Sequence, residues 1–373
     1  MIKLHKHKYL IVWRSMKKIG DCFRTRANLY TTSIKDRTMD KISLSAERIV
    51  GYQTNLLRCL LSDEISSVLV QSKKLVGSRH PLLKTARNFI YDRDEGLNSI
   101  GLIVLLISRS AENLIRGFEP SPLGQNHVSG VQEKQRKLAE VAEMINTGYA
   151  IHLGMVNSSQ FRSSDDIKTM NFGNKITVLS GDFFLAKASV GLSELENSKV
   201  VEIMAEILSD IVEGETMKDY KRLNETSLHD MNHLIFKSSG SLLAKSCLCS
   251  LMLCQVPKKQ QDAAFQFGKN LAFLQQIRKD YEEINTKLEH ISLQNIFIVQ
   301  NKHLLPSNVQ ENPLNTIITI DSSIHRDNMD IKGVLKHAHD CGAAALDGLE
   351  QFPQSEAKSC LQNFVQHLML FKI

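Results

Sequence analysis

The sequence predicts an all-α protein, and three observations carry that reading. Apolar residues recur three and four positions apart over long stretches, only 7 of 373 residues are proline, and alternating β-branched runs are scarce. With 42% hydrophobic and 23% charged residues, the chain suits one large domain or two smaller ones and can bury a sizeable core.

The elements follow in order. Residues 1–40 stand apart: ten Lys/Arg against Asp21, Asp36 and Asp40 give +7 of a formal net charge of +6, so the rest of the chain carries −1. A body this close to neutral has no basic footprint for nucleic acid. The leader is basic, acid-poor, Ser/Thr-rich towards its end, and holds the patch Tyr9-Leu10-Ile11-Val12-Trp13. That is the composition of a mitochondrial transit peptide, with a disordered basic tail as the alternative. Residues 41–373 form the folded domain. Within 45–75, Ile49, Leu56, Leu60, Ile65, Val68 and Leu69 keep helical spacing, and residues 77–81 break it. Residues 82–91 and 100–114 read as helices. The run Leu102-Ile103-Val104-Leu105-Leu106-Ile107 falls far short of the ~20 residues of a bilayer span, and no segment is expected to cross a membrane. Residues 117–130 are a loop.

Residues 131–156 form a long helix with Leu138, Val141, Ile145, Tyr149, Leu153 and Val156 on one stripe. Residues 157–170 are polar without an apolar period and read as a connection. Helices follow at 173–195, 199–212, 234–254 and 260–283. Pro306, Pro313 and five Asn mark 295–330 as an irregular insertion, and helices at 331–351 and 355–371 close the chain, split by Phe352-Pro353. Periodicity yields a bundle and no function.

Other constellations are weak. Seven Cys with Cys247-x-Cys249 but no Cys-x-x-Cys pair argue against a disulfide framework or zinc ribbon and fit a reducing compartment. His229 and His233 are four apart, as two metal ligands on a helix would be, but no third ligand is near, so exposed or capping histidines are the simpler reading. His337-x-His339 is weaker still. Gly-rich phosphate loops and Gly-x-Ser-x-Gly are absent.

One stretch carries more. Phe172-Gly173-Asn174-Lys175, followed by Leu179-Ser180-Gly181-Asp182-Phe183-Phe184-Leu185-Ala186-Lys187-Ala188, resembles the FGNK…L-x-GD-x-LLA-x-A signature of trans-polyprenyl diphosphate synthases. Val212-Glu213-Gly214-Glu215, Ser241-Leu242-Leu243-Ala244-Lys245-Ser246-Cys247, Phe267-Gly268-Lys269-Asn270-Leu271 and the closing residues 346–361 resemble four further segments in the family's order. The resemblance covers roughly residues 45–370. The openings Ala46-Glu47-Arg48-Ile49-Val50-Gly51-Tyr52 and Leu60-Leu61-Ser62-Asp63-Glu64 narrow it to one branch, the second subunits of decaprenyl diphosphate synthases. It implies the all-α isoprenyl synthase bundle.

The family joins an allylic diphosphate to isopentenyl diphosphate, and ionisation needs Mg²⁺ held by two D-D-x-x-D motifs. Mg²⁺ demands hard oxygen ligands, so carboxylates one helical turn apart are a physical requirement. The first motif here reads Leu153, Gly154, Met155, Val156, Asn157, with no carboxylate. The second reads Lys279-Asp280-Tyr281-Glu282-Glu283, in which Asp280 and Glu283 are weak metal candidates and Lys279 places an ammonium where a ligand belongs. Gln276 matches a family glutamine, and a gapless count puts Arg162 at one of two family arginines. The isopentenyl diphosphate segment is reduced to Gly77-Ser78-Arg79-His80-Pro81, the pocket histidine is Asn146, and Lys237 lies one residue from the family's K-T pair, now Ser238-Ser239. Tyr149 sits where the family often sets tail length, and plain core is the alternative.

The resemblance therefore implies a non-catalytic subunit of a heteromeric synthase making the long all-trans tail of ubiquinone in the mitochondrial matrix. No cofactor is expected on this chain, and Mg²⁺ is expected on a catalytic partner subunit, reached through helices around residues 131–195. Allylic and isopentenyl diphosphates would be handled by the complex. Two alternatives stay open: an active synthase using Asp280 and Glu283, and a helical scaffold unrelated to prenyl transfer.

Overall fold

The computed structural model describes residues 42, 45–46, 48–49, 99–115, 127–128, 131–157, 163–286, 291–314, 316–318 and 329–371. The leader, the helices expected at 45–75 and 82–91, the segment 77–81 and Arg162 lie outside, or almost wholly outside, these residues.

The described chain is a helical bundle built outward from one apolar rod. Helix α1 (Ile100–Ser110) starts at Ser99, whose side chain accepts from Leu102 N, and Leu102 to Ile107 are at most 1% exposed. A helix apolar on every side must be surrounded. Helix α2 (Glu133–His152), helix α6 (Ser241–Met252) and helix α11 (Glu356–Leu368) pack around it. Buried Glu143 of α2 accepts from Ser99 Oγ (2.9 Å) and Gly101 N (3.0 Å), capping the rod with a charge.

Helix α3 (Ser164–Ser193) runs back along α2 and has little else beside it among the described elements. Helix α4 (Ser198–Tyr220) follows, capped by Asn197, whose side chain accepts from Val200 N. Helix α5 (Leu228–Ile235) leads through a π-helical turn (Phe236–Gly240) into α6, and helix α7 (Lys258–Thr286) lies between α6 and helix α10 (Ile331–Leu349). Two apolar cores result. The larger joins α1, α5, α6, α7, α10 and α11, and the second fills the space between α2, α3, α4 and α6 with Leu138, Ile145, Leu192, Met204, Ile207 and Leu242.

Three expectations need amending. The polar residues from Ser164 onward are not a connection but the first turns of α3, where Asp165 lies at the positive helix terminus and its carbonyl takes the Thr169 hydroxyl (2.8 Å). The helix expected over 234–254 is present but begins earlier, at Leu228, and its winding widens to the π turn at Phe236–Gly240 before continuing to Met252. The described part of the insertion expected at 295–330 is anchored: helix α8 (Ile296–Gln300) buries Ile296, Phe297, Ile298 and Val299, helix α9 (Ser307–Gln310) follows, and strand β3 (Ile291–Ser292) pairs antiparallel with strand β4 (Ile317–Ile318). Its asparagines close turns and caps, as when Asn295 accepts from Phe297 N and Asn301 donates to Phe297 O (2.8 Å). A further two-residue pair, strands β1 (His127–Val128) and β2 (Val131–Gln132), precedes α2.

Candidate functional site

The first motif position falls on the turn that ends α2. Leu153 N donates to Tyr149 O (3.0 Å), Gly154 N to Ile151 O (2.9 Å) and Met155 N to His152 O (3.2 Å), so the backbone is still tightly wound. Leu153 and Met155 are 56% and 54% exposed, and Asn157 is exposed. The turn is clamped to α3 by Asn174 of the FGNK segment, which accepts from Val156 N (2.9 Å) and donates to Val156 O (2.7 Å). Two residues before the motif, Ile151 turns into the bundle. His152 Nε2 lies 3.2 Å from Val178 O and 3.3 Å from Asp182, lodged where only a glycine, Gly181, leaves room for the ring. One turn below Leu153, the Tyr149 hydroxyl donates to Glu215 of α4, which also receives Lys218 at 2.6 Å. Burial, with the Glu215 bond behind it, pushes the Tyr149 phenol well above its ordinary range. Asn146, at the family's histidine position, is half-buried on the same helix.

The second motif is spent inside the protein. Asp280 is 3% exposed; its Oδ2 accepts from Ile296 N (2.7 Å) and its Oδ1 from Gln276 (2.7 Å). Burial pushes its carboxyl up to about 7, against the pull of these two hydrogen bonds and of Lys279. Asp280 thus helps to cap α8 and is held in place by the Gln276 amide. Lys279 is exposed and Glu283 half-buried. The neighbouring Arg278, also buried, donates to Leu368 O (3.0 Å) and Leu370 O (2.6 Å) and ties down the end of α11. Among the described residues no three His, Cys, Asp or Glu side chains are grouped to hold a metal ion. His229 and His233 are exposed, while the Cys247 and Cys249 thiols are buried and held protonated by desolvation.

The cation nearest the family's K-T position is also committed. Lys237, in the π turn, contacts Asp210 (2.7 Å) and Glu213 (2.8 Å), and Lys245 contacts Asp210 (2.7 Å) and Glu206 (3.1 Å). Ser241 adds a third hydrogen bond to Asp210. Burial raises the Asp210 carboxyl, but the bonds from Lys237, Lys245 and Ser241 outweigh it and hold the group below its ordinary value. Sequence reasoning missed this hub. The available signal was an aspartate on the packed side of α4, next to Ile207 and Ile211.

The signature glycines are packing devices. A Cβ on Gly214 would stand 2.9 Å from Ser238 N, so the π turn can lie on α4 only there. A Cβ on Gly268 would stand 2.8 Å from Ala244 Cα, where α7 crosses α6.

Helix α3 presents an apolar stripe outward. Phe172, Leu179, Phe183 and Val190 are 37%, 59%, 41% and 59% exposed, with Ile176 and Ala186 between them at helical spacing. This amends the expectation about membranes, because residues Ile167–Ser193 are long and apolar enough to cross a bilayer by length and composition. The opposite face, with Thr177, Ser180, Phe184 and Ala188, is buried towards α2.

An all-helical bundle in which FGNK, GD and GE segments converge on the end of α2 is the architecture of a prenyl-chain synthase. The chain belongs to the polyprenyl synthetase family, whose model matches residues 101–292. A human relative, all trans-polyprenyl-diphosphate synthase PDSS2, is 38% identical over 345 residues, covering 87% of this chain and 86% of that protein. A probable mitochondrial hexaprenyl pyrophosphate synthase of Neurospora crassa is 31% identical over 259 residues, covering 59% and 57%. Among solved structures, a decaprenyl diphosphate synthase from Rhodobacter capsulatus superimposes with a TM-score of 0.54 at 16% identity, covering 84% of this chain and 98% of that one. These likenesses bear out the fold expected from the sequence.

Proposed function

We propose that this chain is the non-catalytic subunit of a heteromeric all-trans-polyprenyl diphosphate synthase, of the decaprenyl or solanesyl class, that makes the ubiquinone tail in the mitochondrial matrix. The observation that carries the reading is the turn at residues 153–157, which offers alkyl groups, a thioether and an amide where the chemistry needs carboxylates. Departure of diphosphate concentrates negative charge that Mg²⁺ must neutralise, and none of these side chains is a hard anionic ligand. At the second motif, Asp280 already accepts two protein hydrogen bonds, and its burial disfavours the ionised form a metal requires. That weighs against an active synthase built on Asp280 and Glu283.

The catalytic partner would carry both aspartate motifs and the Mg²⁺. The outward stripe of α3 supports a place for it, because exposed apolar residues at three-and-four spacing fit the apolar face of another helix. The relatives named as mitochondrial support the location.

The test is co-expression with a synthase subunit bearing both aspartate motifs. Each chain alone and the mixture are assayed with Mg²⁺, an allylic primer and isopentenyl diphosphate. This chain alone should be inactive and the complex active. Product formation by this chain alone, or the absence of any complex, would overturn the reading.

A further inference from the structure

We infer that residues 368–371 are a strap: they hold α8 closed on α7, and the strap, residues 278–281 and α8 open as one unit that controls access to Asp280. Buried Arg278 of α7 donates to Leu368 O (3.0 Å) and Leu370 O (2.6 Å), at the end of α11 where intrahelical partners run out, and to Glu282 (2.9 Å). The Phe371 ring lies 5.3 Å from the Arg278 guanidinium and meets the Tyr281 ring edge-on at 5.3 Å. Met369 fills the notch that Gly342 of α10 leaves open, where a Cβ would collide with its thioether. Tyr281 passes the contact on to the Phe297 ring of α8, 6.0 Å away, and Asp280 accepts from Ile296 N of the same helix.

The parts of this unit depend on one another. Helix α8 has five residues, too few to persist without tertiary support. That support includes the buried rings of Phe297 and Tyr281, which are 0% and 9% exposed. A buried guanidinium left without acceptors is costly, so Arg278 grips the strap for as long as it stays buried. Release of the strap takes both carbonyls from Arg278 and the edge-on ring from Tyr281 together. Proteins open locally in contiguous units of this kind. With the strap closed, Asp280 is 3% exposed; with the unit open, its carboxyl is hydrated and Ile296 N is released.

Phe371→Ala and Phe297→Leu, each made in the full chain, perturb the two ends of the unit separately. Hydrogen exchange followed by mass spectrometry should show residues 295–299 exchanging about tenfold faster in Phe371→Ala, the effect of one lost aromatic contact on local opening. By reciprocity, Phe297→Leu should speed exchange at residues 369–371 by a similar factor. Residues 103–107 of α1 should exchange as in wild type in both variants, which shows that each folds. Labelling of Asp280 by a water-soluble carbodiimide and an amine should rise in Phe371→Ala alongside the exchange at 295–299. Faster exchange at 369–371 alone in Phe371→Ala, or at 295–299 alone in Phe297→Leu, would overturn the inference, because strap and α8 would then open independently. Faster exchange throughout α1 would also overturn it, since the opening would be global. So would labelling of Asp280 that stays at the wild-type rate while residues 295–299 exchange faster.

Discussion

Asp280 allows the sharpest test of how burial sets the chemistry of the 279–283 segment. The carboxyl is 3% exposed, and its two oxygens accept from Ile296 N and the Gln276 amide. Burial sets its folded value at about 7, against 3.8 for the ordinary side chain. Between those limits the folded chain holds a proton that the unfolded chain has released. This carboxyl's contribution is therefore most favourable in acid and is lost progressively as pH rises from about 4 to 7. Three pH units correspond to about 4 kcal/mol as an upper limit. Asp280→Asn keeps an oxygen for Ile296 N and, with the Gln276 amide turned over, a hydrogen for Gln276. It removes the titration and little else.

Urea unfolding of wild type and variant across pH 4 to 8 isolates this group, because the other carboxylates cancel in the difference. Near pH 4 the two should be about equally stable. Near pH 8 the variant should be the more stable by about 2–4 kcal/mol. A difference independent of pH, or a variant weaker at pH 8, would refute the burial argument. Stabilisation of wild type by Mg²⁺ that the variant lacks would mean that the carboxylate still serves a metal.

Other perturbations address the packing signatures. Gly181→Ala drives a methyl into the His152 ring and should cost about 1–3 kcal/mol in a thermal melt, with partial recovery in the double variant with His152→Ala. Asp210→Ala leaves Lys237 and Lys245 with only their more exposed partners Glu213 and Glu206, so chemical denaturation should show a loss of about 2–4 kcal/mol. Asn174→Ala removes both bonds to Val156 and should cost about 1–3 kcal/mol, with faster hydrogen exchange confined to the turn after α2.

Much of the bundle was legible in the sequence because its helices are amphipathic or wholly apolar, and apolar period is a local property. The polar start of α3 escaped because residues 164–169 bury little and are helical through continuity with the turns that follow, which begin at buried Met170. The π turn escaped because it leaves no mark in composition. It is specified by its neighbour, Gly214 of α4, and by the acidic pair that receives Lys237. At the site, the missing carboxylates at 153–157 could be read directly. The fate of Asp280 could not, since spacing alone allowed it to share an outward face with Glu283.

Alone, the sequence determined which chemical groups exist at each motif position, and so that the first motif has no anionic oxygen to offer a cation. Only the tertiary structure decided how the surviving polar groups are used, because burial and hydrogen bonding depend on elements far along the chain. Ile296 reaches back 16 residues to Asp280, and Lys237 reaches back 27 to Asp210. Exposure is likewise set by neighbours: α3 is apolar on two faces, and the packing of α2 against one of them leaves the other to solvent.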